Sequence, residues 1–195
     1  MRKVEVVPHD RNWQTAFADE AQQLEIAFGN NAIAIHHIGS TSIETIYAKP
    51  IIDILVEVED IHKVNDRNPA IESLGYIAMG EFGIAERRFF RKDNSEGIRT
   101  HHIHTFEANS AQIARHLAFR DYLRSHPEDA RKYSELKQQL ARQYPTDIEG
   151  YMDGKDDFIR SIERLALRVA KNANSRIAIV KHVGWNFLDR ATVLI

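Results

Sequence analysis

The chain has no cysteine. That excludes disulfides and thiolate-held zinc, and a reducing compartment is the simplest setting for it. No apolar run reaches the roughly 18 residues that span a bilayer. The opening stretch MRKVEVVPHD is too short and too polar for a signal peptide. The sequence therefore reads as cytoplasmic, with no membrane partner. A strong charge of either sign is also missing: 26 Lys and Arg stand against 28 Asp and Glu, a formal net charge of -2. General nucleic-acid coating is not expected from such a balance, although a local basic groove is compatible with it. There is no internal repeat and no low-complexity segment. What is present is 195 residues, 43% hydrophobic and 28% charged, enough to bury a core without staples. Ten histidines are more than expected, and they cluster.

The stretch HIGSTSIETIYAKPIIDILVEV, residues 37–58, organises the rest. It starts at the end of an apolar run, 33–38, expected to be a first central strand. It turns through Gly39, Ser40, Thr41 and Ser42, passes a short helix expected to carry Ile43, Ile46 and Tyr47, and enters a second central strand over 51–58. Before it, residues 4–7 fit an edge strand ended by Pro8. Asp10 or Asn12 can cap a helix over 13–28, where Trp13, Phe17, Leu24 and Phe28 keep helical spacing. After it, a helix is expected over 61–74, with Asn68-Pro69 dividing it in two. A brief strand follows at 76–79, then a hairpin whose arms are 86–92 and 99–107. From Ala111 the pattern becomes helical, over 111–125, 128–144 and 146–171, with Pro127 and Pro145 opening the second and third helices. The expected organisation is one domain over 1–171, with an α/β part to about 109 and a helical part from 110. A tail over 172–195 has no assigned role; 177–180 and 192–195 fit strands or helix ends, and 184–186 fits a turn. Its apolar end suggests docking on the body or on a partner.

Asp53 lies inside a run of Ile, Leu and Val, and a charge there is costly unless it is paired or binds a cation. A Gly-Ser turn after a strand presents backbone N–H groups, which suits phosphate. If the two strands are neighbours, Asp53 sits near the mouth of the turn, and a phosphate on Gly39–Ser42 could share a divalent cation with it. Lys49 can reach back as a point charge; a solvated lysine at a strand start is the alternative. In RTHHIHTFE, His102 and His104 share one face and His101 takes the other. Two imidazoles at that spacing can ligate metal, hold phosphate or move protons near neutral pH. Arg88 and Arg91 on the partner arm could add positive potential. Arg120 could reach a phosphate with its fork, or form a surface ion pair with Asp121. Lys137, Tyr151 and Lys155 are weaker candidates on the later helices.

Four blocks in order carry a resemblance to the GrpB (UPF0157) family of the nucleotidyltransferase-like superfamily: HIGSTSIETIYAKPIIDILVEV, RTHHIHTFEANS, LAFRDYLRSHPEDARKYSELKQQLA and YMDGKDDFI. The resemblance covers about residues 4–162. It implies an α+β fold, a mixed β-sheet nucleotidyltransferase-like core with a C-terminal helical part. It also implies a Gly-Ser turn followed by two carboxylates one residue apart and a third on a later strand, holding divalent metal around a nucleoside triphosphate. Gly39, Ser40 and Asp53 match that pattern. Leu55 stands where the second acid belongs, and imidazoles stand near the third. The expectation is a protein that binds a nucleotide or other phosphorylated small molecule with a divalent metal (Mg, Mn or Zn), where an Asp-and-His donor set suits the transition metals better than magnesium. Asp53, His102 and His104 are the catalytic and metal candidates; Gly39, Ser40, Thr41, Ser42, Lys49, Arg88 and Arg120 are the phosphate candidates. The alternatives are a non-catalytic binding module and a metal-dependent phosphoester hydrolase using the His pair. Oligomeric state is open, a homodimer included.

Overall fold

The computed structural model describes residues 3–187, and side-chain surroundings for 3–169. The α/β part runs α1 (Asn12–Phe28), β1 (Ala32–Ile38), β2 (Ile52–Val58), α2 (Val64–Glu72), β3 (Tyr76–Ala78), β4 (Arg88–Asp93) and β5 (Arg99–Glu107). Three helices follow: α3 (Ala111–Ser125), α4 (Pro127–Gln143) and α5 (Ile148–Phe187). Local chemistry explains several boundaries. The Asn12 N–H donates to Asp10 Oδ1 at α1, Ser110 accepts from the Gln112 N–H at α3, and Asp147 accepts from the Gly150 N–H at α5. Pro127 occupies the first turn of α4, where its missing N–H is no loss. Gly75 ends the α2 region with φ +89°.

The five strands form one sheet in the order β1-β2-β5-β4-β3. β2 and β5 run parallel and the other pairs antiparallel, so the sheet is mixed. Alternation sorts the side chains. Ile52, Ile54, Val56 and Val58 join Ile103 and Phe90 beneath α1 and α2, packed on Trp13, Leu24, Phe28, Val64 and Ile71. On the other face Leu55 packs with Ile38, Phe106 and Ile113. The helical layer closes over Ile43, Ile46, Leu123, Tyr133 and Ile162. No helix among the described residues is long and apolar enough to cross a membrane.

Several expectations are corrected. β1 is an edge strand, not a central one; Ile33 is 55% exposed, and two alanines and two histidines leave the run too weakly apolar for burial on both faces. Residues 4–7 make only a bridge from Val7 to Ala48, with Val4 donating to the Pro145 carbonyl. No helix follows the turn: a single 3-10 turn spans Ser40–Ser42, and Ile43 and Ile46 are pulled into the helical-layer core instead. Pro69 sits inside α2 without dividing it. Pro145 precedes α5 rather than lying in its first turn. Residues 177–180 and 184–186 fall within α5, while 192–195 lie outside the described residues.

Phe28 is fully buried and meets Phe90 edge-on, with ring centroids 6.3 Å apart. It supports β2 and β5 from below. Phe28→Ala is expected to lower unfolding free energy by about 3–5 kcal/mol, read as a drop in urea midpoint at unchanged slope.

Candidate functional site

The parallel register of β2 and β5 sets Asp53 opposite His102 and Leu55 opposite His104. Period-two alternation then brings both imidazoles to the Asp53 face. His102 Nδ1 lies 3.0 Å from Asp53 Oδ1 and His104 Nε2 lies 3.9 Å from the same oxygen. Phe89 packs on both rings at 5.2 Å. The outer ring nitrogens face arginines: Arg99 Nη1 is 3.2 Å from His102 Nε2, and Arg87 Nη1 is 3.5 Å from His104 Nδ1. Guanidinium only donates, so each imidazole accepts from its arginine and presents an N–H to the carboxylate. Burial pushes the Asp53 carboxyl up, but the hydrogen bonds and charges of His102 and His104 outweigh it and hold it well below the usual range. Burial likewise lowers His104, and lowers His116 behind it to about 3, with His104 and Arg115 adding to the effect. The Asp53 side chain is still 28% exposed, so a ligand can reach it.

The turn is built against this carboxylate. Gly39 has φ 67° and ψ -171°, a region open essentially to glycine alone. A Cβ at Gly39 would collide with Asp53 Oδ2. Only half of the turn faces the site. Gly39 and Ser40 line the cleft over Asp53. Thr41 Oγ donates to the Ile51 carbonyl at 3.1 Å and Ser42 Oγ donates to the Gly39 carbonyl at 2.7 Å, so these two hydroxyls hold the loop rather than a ligand.

The far wall of the cleft comes from α4 and α5. Lys49, Asp53, His102, Tyr133, Lys137, Tyr151 and Lys155 line a space of about 190 Å³. Lys137 is 1% exposed; it donates to the Tyr47 carbonyl, and its Nζ sits 4.5 Å from the Tyr133 ring centroid. Lys155 is 7% exposed, with Nζ 4.6 Å from the Tyr151 centroid, and Lys49 approaches the same ring at 5.3 Å. Burial, and then the charge of a neighbouring lysine, depress the Lys137 and Lys155 amines. Lys137 falls to about 7 through desolvation and Lys155; Lys155 falls to about 8 through desolvation and Lys49, with Asp53 pulling the other way. Neither Lys137 nor Lys155 forms an ion pair with a carboxylate among the described residues. The sequence did carry a signal for them. Tyr133 and Lys137, like Tyr151 and Lys155, stand four apart, one helical turn, so each helix turns a Tyr and a Lys to the same face.

Two sequence candidates lie elsewhere. Arg88 is on the opposite face of the sheet, donating to Asn65 Oδ1 at 2.8 Å with Glu81 at 3.9 Å. Its neighbour Arg87, only 6% exposed, takes the place beside His104. Arg120 donates to the His37 carbonyl at 3.1 Å and lines a different cavity, behind the turn. Arg99 was missed because simple alternation from His102 puts it on the wrong face. The register shifts beside it, between Lys92 and Asp93, and Arg99 joins His102 to Asp93.

Asp53, His102 and His104 each offer a ligand atom, all within 4.8 Å of one another. One carboxylate and two imidazoles suit manganese or zinc; magnesium, which wants oxygen, does not fit. Leu55 cannot supply a second acid, being fully buried against Ile38 and Phe106. Loading a cation also requires the imidazoles to give up the protons they point at Asp53, and their arginines to turn away.

The sequence profile described as "GrpB protein" matches residues 3–165. The UPF0157 protein YqkA of Bacillus subtilis is 47% identical over 174 residues, covering 89% of this chain and 50% of the relative, so the chain spans about half of that protein. The crystal structure of conserved protein GrpB from Enterococcus faecalis is 45% identical, with a TM-score of 0.81, covering 85% of this chain and 99% of that one. A structure of the Cid1 poly(U) polymerase with Mg 3′-dATP bound is 12% identical with a TM-score of 0.50, covering 70% of this chain and 43% of that one. That likeness shows a shared nucleotidyltransferase fold.

The lysines make a stability prediction. Lys137 has a folded value of about 7 against 10.5 as reference. The unfolded chain therefore binds the extra proton between those values, and stability rises with pH across that window. Lys137→Met removes this term at similar volume. The variant is expected to gain stability over wild type near pH 6, with the gain shrinking towards pH 10, measured by urea unfolding across the range.

Proposed function

The chain belongs to the GrpB family, and from that premise we propose that it binds a nucleotide or another phosphorylated small molecule between the Gly39–Ser40 turn and the faces of α4 and α5, with a divalent metal on Asp53, His102 and His104. The observation that carries this reading is the pair of buried amines of Lys137 and Lys155, which have no carboxylate partner among the described residues and share a cleft with a glycine turn and one carboxylate. Buried charge without a partner is unfavourable in the empty protein. A polyanion that fills the cleft converts that penalty into affinity. Lys49 adds a third charge at the entrance. The cleft is smaller than the usual range for whole ligands. It shares Lys49 and Ile51 with a larger groove of about 530 Å³ under the β4–β5 loop, where the remainder of a nucleotide can lie.

Manganese or zinc, when bound, would neutralise phosphate oxygens and orient them. The protein's own contribution is positioning. The turn N–H groups and lysines fix the phosphate chain, while Arg99 and Arg87 hold the two imidazoles until a metal loads. Nucleotidyl or phosphoryl transfer is the reaction class such an arrangement serves. A second reading, a binding module without turnover, is favoured by one observation: Leu55 is built into the core where an acid would hold a second metal. A cysteine-free chain is suited to the cytoplasm, where we place it.

Calorimetric titration with ATP, with and without Mn²⁺, tests the reading. Lys137→Met with Lys155→Met should weaken ATP by at least about tenfold, the equivalent of 1.4 kcal/mol. Asp53→Ala should abolish Mn²⁺ binding and the part of ATP affinity that depends on it. Undiminished ATP and Mn²⁺ binding in Asp53→Ala contradicts the site. Release of pyrophosphate from ATP by wild type separates transfer from mere binding; phosphate release from simple phosphoesters with Mn²⁺ or Zn²⁺ would instead indicate a hydrolase.

A further inference from the structure

The turn at Gly39–Ser42 has a second side. Behind it, between α1, the free edge of β1 and α3, lies a separate cavity of about 260 Å³. Its walls are unusually rich in cationic and imidazole groups: Arg120 and Arg124 from α3, His36 and His37 from β1, and His9. Glu44 is the one carboxylate among the lining residues.

Both arginines donate to backbone carbonyls at the turn, and Arg120 also pairs with Asp121, its Nε 2.7 Å from Oδ1. Arg120 Nη1 donates to the His37 carbonyl at 3.1 Å. Arg124 donates through Nε and Nη2 to the Ser42 carbonyl at 3.0 and 2.8 Å. Asp121, which also lies 4.0 Å from Arg124 Nη1, is 57% exposed and is not among the residues lining the cavity. The cavity therefore carries an ordered positive field, and the histidines register it. Burial and then the two arginines keep His37 neutral, at about 4, against an opposing pull from Asp53. Burial and Arg120 lower His36, with Glu57 and Asp121 opposing. Two ring nitrogens of the lining residues, His9 Nδ1 and His36 Nε2, are buried with no hydrogen-bond partner. On one flank His37 is stacked on Phe17 at 4.7 Å, giving a flat apolar wall beside the charges.

We propose that this cavity is a second anion site, which takes a small organic anion bearing a phosphoryl or carboxylate group, distinct from the ligand of the Asp53 cleft. Its volume corresponds to roughly nine water molecules at about 30 Å³ each, room for an acid group on a body of a few carbons but not for a nucleoside triphosphate. The two sites share one wall. Thr41 and Ser42 face the cavity, Gly39 and Ser40 face the cleft, and Gly39 is wedged against Asp53. An anion that engages Arg120 and Arg124 competes with the carbonyls that hold this turn, so occupation of either site alters affinity at the other by the same factor.

The test uses the full chain carrying Lys137→Met and Lys155→Met, so that the outcome does not depend on the lysine cleft. Inorganic phosphate and, separately, malonate are titrated while the Nε–Hε resonances of the arginines are followed by NMR. Saturable shifts at Arg120 and Arg124 are expected, and the tighter of the two probes identifies the acid group preferred. Arg120→Gln should weaken binding at least about tenfold, and Glu44→Gln should tighten it about threefold by removing the negative charge at the cavity wall. Glu44 is exposed, so its variant carries little folding risk if Arg120→Gln is unstable. Absence of saturable shifts with both anions overturns the proposal, as do shifts that neither substitution changes.

Discussion

An ionised carboxylate in the middle of an apolar strand has to be compensated, and much of this protein's local architecture follows from how Asp53 is treated. Two imidazoles point N–H groups at it, and each is backed by an arginine that holds its tautomer. The neighbouring turn presses so closely on the carboxylate that only glycine fits at residue 39. The parallel register of β2 and β5 sets Asp53 opposite His102. The register, the glycine and the histidine pair are thus parts of one electrostatic arrangement. The core beneath, centred on Phe28, Ile54 and Ile103, keeps it rigid.

The same arrangement differs from the acid-rich centre that the wider superfamily pattern implies. With Leu55 turned into core, one carboxylate is left, and the positive side of the site dominates. Two lysines are buried against tyrosine rings with no acid partner among the described residues, at a cost to the empty protein. Proteins keep unfavourable buried charge chiefly where a ligand or reaction needs it. In the proposed reading the weight of recognition falls on the lysines and the turn, and a metal would sit on imidazole nitrogens rather than in a cage of oxygens.

Much of this was legible in the sequence. The bounds of β5 and α3 were read correctly, because β-branched and His alternation gives way sharply to Asn109-Ser110 and a helical period. The fold and family were readable from four short blocks in order. That Asp53 and His102 share a face was an inference from strand adjacency, and the register bears it out. The misreadings have definite causes. Ile43 and Ile46 suggested a helix because their spacing is helical, yet tertiary burial under α3 and α5 decides their conformation. Arg88 was named for its place on the hairpin arm alone, and the strand turns it to the far face while Arg87 takes the place beside His104. Thr41 and Ser42 looked like phosphate ligands by type, but hydroxyls in a tight turn bond first to nearby carbonyls. Arg99 was hidden by a register shift that no local pattern reveals.

In the proposed reading Lys137 and Lys155, partly deprotonated and without a carboxylate partner among the described residues, wait for a polyanion. If so, binding must draw protons from solution, because an anion in the cleft raises both amines from about 7 and about 8. Titration of wild type with inorganic pyrophosphate at pH 8, in two buffers of very different ionisation enthalpy, measures that uptake directly. The account predicts binding heats that differ between the buffers in the sense of net proton uptake. Equal heats in the two buffers, or no binding of pyrophosphate at all, would contradict it.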